Sequence, residues 1–118
     1  MSYFYNAGKH IMLTALINEI DELSLHDGDP NDGSDNEISN YTRPSVSNTD
    51  WASPSDGGVA WDEDMQINGP ADQAVDYIVF WADGAAVARG QLSGSNVFNS
   101  EGEFTIVEGS TLEIQDPE

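Results

Sequence analysis

Leu23-Ser24-Leu25-His26 alternates apolar and polar side chains as a half-buried strand does, then runs into the acid-filled loop Asp27-Gly28-Asp29-Pro30-Asn31-Asp32-Gly33-Ser34-Asp35-Asn36. Glycines, a proline and Asn/Asp side chains turn the chain there. Glu37-Ile38-Ser39-Asn40-Tyr41-Thr42-Arg43-Pro44 comes next as a second extended stretch, closed by a proline that a central strand could not hold. The chain before this segment reads as helix, and the chain after it reads as short strands.

Working back, Met12, Leu13, Leu16, Ile17 and Ile20 recur at spacings of three and four, which predicts a helix over 6–22 with one apolar face. Asn6 is placed to cap its start, while Glu19, Asp21 and Glu22 load the last turn with the charge that the helix dipole disfavours. Such a helix has to be held by docking. Tyr3, Phe4 and Tyr5 form an aromatic arm over residues 1–5, either part of the core or a contact for a neighbouring subunit.

Working forward, Asp50-Trp51-Ala52 and Gly58-Val59-Ala60-Trp61 flank a turn, and Met65-Gln66-Ile67 alternates until Asn68-Gly69-Pro70 stops it. Val75 to Ala82 is the strongest strand signal, and Asp83-Gly84 predicts a two-residue hairpin into Ala85 to Leu92. Val97-Phe98, Glu103 to Val107 and Thr111 to Ile114 complete a set of about eight strands at the spacing of a β-sandwich or jelly roll. One domain over 1–118 is expected: arm, helix, and an antiparallel β-sandwich or jelly roll over 23–118.

The net charge is −19, with 22 acids against Lys9, Arg43 and Arg89. No surface of this chain can replace the counterions of a nucleic acid, and an anionic membrane is excluded on the same ground. Three tryptophans, four tyrosines and four phenylalanines argue for a folded chain rather than a disordered acidic one. The acids then repel one another over roughly 30 Å at about 0.01 M salt and over only roughly 3 Å at about 1 M, so the composition suits brine. Without cysteine, disulfides and thiolate-bound metals are excluded. The N-terminus has no secretory-signal progression, and the apolar runs are short of a membrane span.

Asp27, Asp29 and Asn31 alternate as calcium-loop ligands do, but Asp32 stands where that loop needs glycine and Ile38 where it needs a bidentate acid. No cofactor is called for, and calcium in another geometry is the one open alternative. His10 and His26 do not make a zinc site, and His26 suits a bond to a local carboxylate or backbone group. Asp62, Glu63 and Asp64 belong to an acidic surface rather than an acid/base pair, and no nucleophile or phosphate-loop pattern is present. Trp51 and Trp61 suit either a sugar-stacking platform or a core and interface anchor. Arg43 and Arg89 suit structural ion pairs.

The helix, Leu23 to Pro30, Glu37-Ile38, Tyr41-Thr42-Arg43 and Phe80-Trp81-Ala82 stand in an order that resembles a family of small virion proteins of tailed phages and archaeal tailed viruses. These are often labelled tail-fibre, minor structural or decoration-type proteins. The likeness runs from Ala7 to Ile114, and the extra acids, such as Asp32 and Asp35, fit a haloarchaeal virus. It implies a non-enzymatic jelly-roll subunit of the capsid decoration, turret, tail or fibre apparatus. Its expected partners are its own copies, other virion proteins and host surface glycans, and its expected location is the virion. Assembly is expected through Tyr3, Phe4, Tyr5, Met12 and Leu16. The alternatives from other classes are a DNA-mimic inhibitor and a carbohydrate-binding receptor module.

The brine reading makes a direct prediction. Stability followed by denaturant melts should rise from dilute buffer to molar salt; full stability in dilute buffer with no further gain would overturn it.

Overall fold

A computed structural model of the chain describes residues 4–113. It is mainly antiparallel β with one N-terminal helix. Helix α1 spans Asn6–Glu19, followed by β1 Glu22–His26, a single 3-10 turn Asn48–Asp50, β2 Gly58–Ala60, β3 Met65–Asn68, β4 Tyr77–Ala82, β5 Ala85–Gln91, β6 Glu103–Ile106 and β7 Thr111–Glu113. The strands form three antiparallel sheets, β1-β4-β5, β2-β7 and β3-β6, which are not closed on one another. Tyr3 and Ile114 lie outside the described residues.

The helix is shorter than its periodicity predicts. Ile20 turns to extended backbone and is buried, and the Asp21 N–H then bonds the Trp81 carbonyl at 2.9 Å, so Asp21 and Glu22 enter the sheet instead of a last helical turn. Tyr5, not Asn6, holds the N-cap position, and no side chain caps it. Leu13 and Ile17 face inward, and the helix packs on β2 and the 3-10 turn. Docking supplies what the ends lack.

The register of the central sheet sorts its side chains into two faces. Leu23 opposes Phe80 and Leu25 opposes Ile78 on the inner face, against the core that also holds Leu13, Ile17, Phe98 and Phe104. Glu22, Ser24 and His26 oppose Trp81, Val79 and Tyr77 on the outer face. The hairpin turn is as expected: Asp83 and Gly84 sit at φ 50° and 79°, the left-handed pair that matches strand twist. A bulge comes after it, with Phe80 opposite Ala88 but Trp81 opposite Ala86.

Residues 27–46 fold back over that outer face. Pro30 and Gly33 are buried there, and Val79 beneath them is fully covered. The expected second strand, Glu37 to Pro44, does not form. Glu37 makes one bridge to His26, Asn40 then takes a left-handed φ of 61°, and the chain swings out before returning at Ser45, which bridges Glu22. Asp50–Ala52 and Val97–Phe98 also fall short of strands, contributing only the bridges Trp51 to Trp61 and Ala74 to Val97. Their backbones bond briefly to distant segments, Asp50 and Ala52 to Asp62 and Ala60 and Phe98 to Asp72 and Gln73, and carry Trp51 and Phe98 into the core.

Gly33 is where the loop meets the sheet. Its φ is 116°, and a Cβ placed there would stand 2.5 Å from the Ala86 Cβ. Gly33→Ala should therefore lower unfolding stability by about 1–3 kcal/mol in a urea melt. A loss below about 0.5 kcal/mol, the range of ordinary surface changes, would mean that the loop is not seated on β5.

Candidate assembly face and aromatic cleft

The acidic loop is closed by its own donors. Asp29 accepts the Asn31 N–H at 2.8 Å and pairs with Arg89; both hold its carboxyl below the usual range, the Asn31 bond foremost. Asn31 donates to Asp35 at 2.7 Å, and Asp32 is lowered by donors from Ser34. Among the described residues no three His, Cys, Asp or Glu side chains form a metal cluster.

His26 is fully buried between the Asp35 carbonyl at Nδ1 and Ser24 Oγ at Nε2, both at 2.7 Å. A proton on Nδ1 satisfies the carbonyl, leaving Nε2 to accept from Ser24, whose oxygen in turn accepts the Trp81 indole N–H at 2.7 Å. The expected backbone partner for His26 is thus present. This Ser–His pair is sealed from substrate and serves the fold.

Arg43 ties the same face together. Its guanidinium grips Glu37 with two bonds of 2.8 and 2.9 Å, reaches Glu22 at 2.9 Å and lies 4.4 Å over the Trp81 ring. Tyr41 donates its hydroxyl to Glu37 and accepts the Leu25 N–H at 2.9 Å. The Arg43 fork, helped by Tyr41, holds the Glu37 carboxyl below its ordinary value, against the opposing effect of partial burial. Burial and the Glu37 carboxylate push the Tyr41 hydroxyl well up. Both arginines make the ion pairs expected of them. The role of Tyr41 carries no sequence signal, because the strand it serves is far away along the chain.

Trp51 and Trp61 are 6% and 3% exposed and meet edge to face with centroids 4.5 Å apart. Both belong to the buried core cluster. They stand in the wall of a cleft of about 250 Å³, floored by Ile78 and Phe80 and flanked by Gly90 and Leu92 on one side and Phe104 and Ile106 on the other. The cleft opens where β5, β6 and β7, members of three different sheets, come together without pairing. No acidic residue lines it. The Trp51 indole nitrogen is buried without a hydrogen-bond partner.

On α1, Met12 and Leu16 are partly buried, Leu16 packing against the core. Phe4, Tyr5 and Ile11 are more open: they are 56%, 83% and 70% exposed. Ile11 was legible as the apolar residue that falls outside the inward stripe, and Gly90 as a glycine inside a strand. The first acidic residue of the chain is Glu19, so this outward apolar surface belongs to a segment without a single carboxylate side chain.

No family model matches the chain, and no curated protein or solved structure is significantly similar to it.

The Glu37 carboxylate, with its lowered pKa, stabilises the fold fully above the ordinary glutamate value of 4.5 and progressively less as pH falls through its own value. In constant molar salt, the stability gap between wild type and Glu37→Gln should be full near neutrality and narrow at acid pH. A gap that stays constant from neutral to strongly acid pH would exclude the Arg43 pair as its source.

Proposed function

We propose that this chain is a non-enzymatic structural subunit of a tailed-virus particle: a homo-oligomeric jelly-roll-type module of the capsid decoration, turret, tail or fibre apparatus, working in high salt. The observation that carries the proposal is the outward set Phe4, Tyr5 and Ile11 on an acid-free segment of a chain of charge −19. Large exposed apolar side chains mark contact surfaces, and like-charged subunits associate best where they carry no charge. Molar salt favours the same contacts, since it screens repulsion between the remaining acids.

The rival readings find less support. A nucleic-acid mimic offers its carboxylates along one face, whereas Glu22, Glu37 and Asp29 are held by Arg43 and Arg89. A sugar site needs open aromatic faces, and Trp51 and Trp61 are buried.

Immunogold electron microscopy of purified virus particles, with antibody raised against the whole chain, tests the assignment. Label on the head supports decoration or turret work, and label at the tail supports a fibre role. Bare particles, with the protein confined to infected cells, would sink the virion reading.

A further inference from the structure

Two apolar features among the described residues face solvent with no acid near them in sequence or lining. One is the end of the aromatic arm Met1-Ser2-Tyr3-Phe4-Tyr5, whose Phe4 and Tyr5 are 56% and 83% exposed. The other is the aromatic cleft, which has room for one or two side chains: its volume of about 250 Å³ is below the roughly 300–1,000 Å³ of drug-sized ligand sites. We infer that the cleft receives the N-terminal arm of a second copy of this chain. The inference rests on the homo-oligomeric part of the proposed function, not on its place in a virus.

Three observations choose this occupant. The first is charge: arm and cleft lining are both free of acids in a chain with 22 of them, so the two surfaces meet without repulsion, while a basic partner would be drawn to the carboxylates elsewhere. The second is shape. Gly90 lies opposite Ile78 on the inner face and lines the cleft, and a Cβ placed on it meets nothing within 4 Å, so space is left where a side chain would close the core. The third is backbone chemistry. Among the described residues β5 pairs only with β4, so its other edge offers N–H and C=O groups to an extended segment laid along it.

An arm given by one copy and a cleft offered by another closes as a two-fold arm-exchanged dimer when the exchange is reciprocal, and as a ring or filament when it runs head to tail. Each subunit then gives one arm and receives one. The same insertion fills the gap between the unclosed sheets.

Light scattering on the full chain in molar salt tests this with two variants, each checked for a wild-type circular dichroism spectrum. One replaces Tyr3, Phe4 and Tyr5 together by Ser, and the other is Gly90→Leu, which fills the cleft. Wild type should be oligomeric and each variant alone should run as the 12.8 kDa monomer. Mixed in equal amounts they should form a species of twice that mass and stop, because the mixture holds one good arm and one good cleft per pair. A monomeric wild type would overturn the inference, as would oligomers that survive both changes. So would a mixture that stays monomeric, or oligomers abolished only by Ile11→Asp, which would point to helix-face packing instead. Particle labelling is independent of all these outcomes, so this inference and the virion reading can fail separately.

Discussion

The second edge of β1 is the constraint on which the rest of the structure depends. A strand at the edge of a sheet needs partners for its N–H and C=O groups, and among the described residues no neighbouring strand supplies them. The returning loop does so piecemeal: Asp27 N–H to the Asn36 carbonyl, Ile38 N–H to Leu25, Leu23 N–H to Pro44 and Val46 N–H to Asp21. At Leu25 the hydroxyl of Tyr41 takes the place of a strand carbonyl, and Glu37 and Arg43 hold that tyrosine in position. A buried backbone N–H left without an acceptor costs about 1–3 kcal/mol, which is a large part of the stability of a small domain. The loop therefore does the work of a strand while remaining irregular.

The same loop explains how a chain of this charge keeps a compact face. Two of its three cations, Arg43 and Arg89, sit on the outer face of the central sheet, each over an aromatic ring and against carboxylates of the loop. The fork between Arg43 and Glu37 is partly shielded from solvent and less open to screening than a surface pair, so it is compatible with high salt. Most of the remaining acids among the described residues are exposed, and the helix has none before Glu19. Charge distribution, more than any single residue, separates the acidic surface from the acid-free one.

Periodicity and turn chemistry made much of the fold legible. The helix, the Asp83-Gly84 hairpin, β1, β3 and β6 arise from local patterns that burial then obeyed, because alternation and three-to-four spacing report directly on which side chains one face can bury. The misses share one cause. Glu37 to Pro44, Asp50 to Ala52 and Val97-Phe98 have strand-like composition, but a strand exists only where a partner edge is in register, and these segments meet single bridges instead. The helix end was misplaced for a related reason, since the backbone of Asp21 and Glu22 is claimed by the sheet.

By itself, then, the amino-acid sequence determined the class of fold, the acid surface, the buried identity of the apolar stripe and the ion pairing of the arginines, all of which depend on composition and nearest neighbours along the chain. Tertiary structure decided which edge of β1 is satisfied by a tyrosine, that Leu16 faces inward while Ile11 faces out, that Trp51 and Trp61 stand edge to face in the wall of a cleft, and that Gly90 leaves that cleft open. Each of these requires residues far apart in the chain to meet, and local pattern carries no record of which distant backbone will arrive.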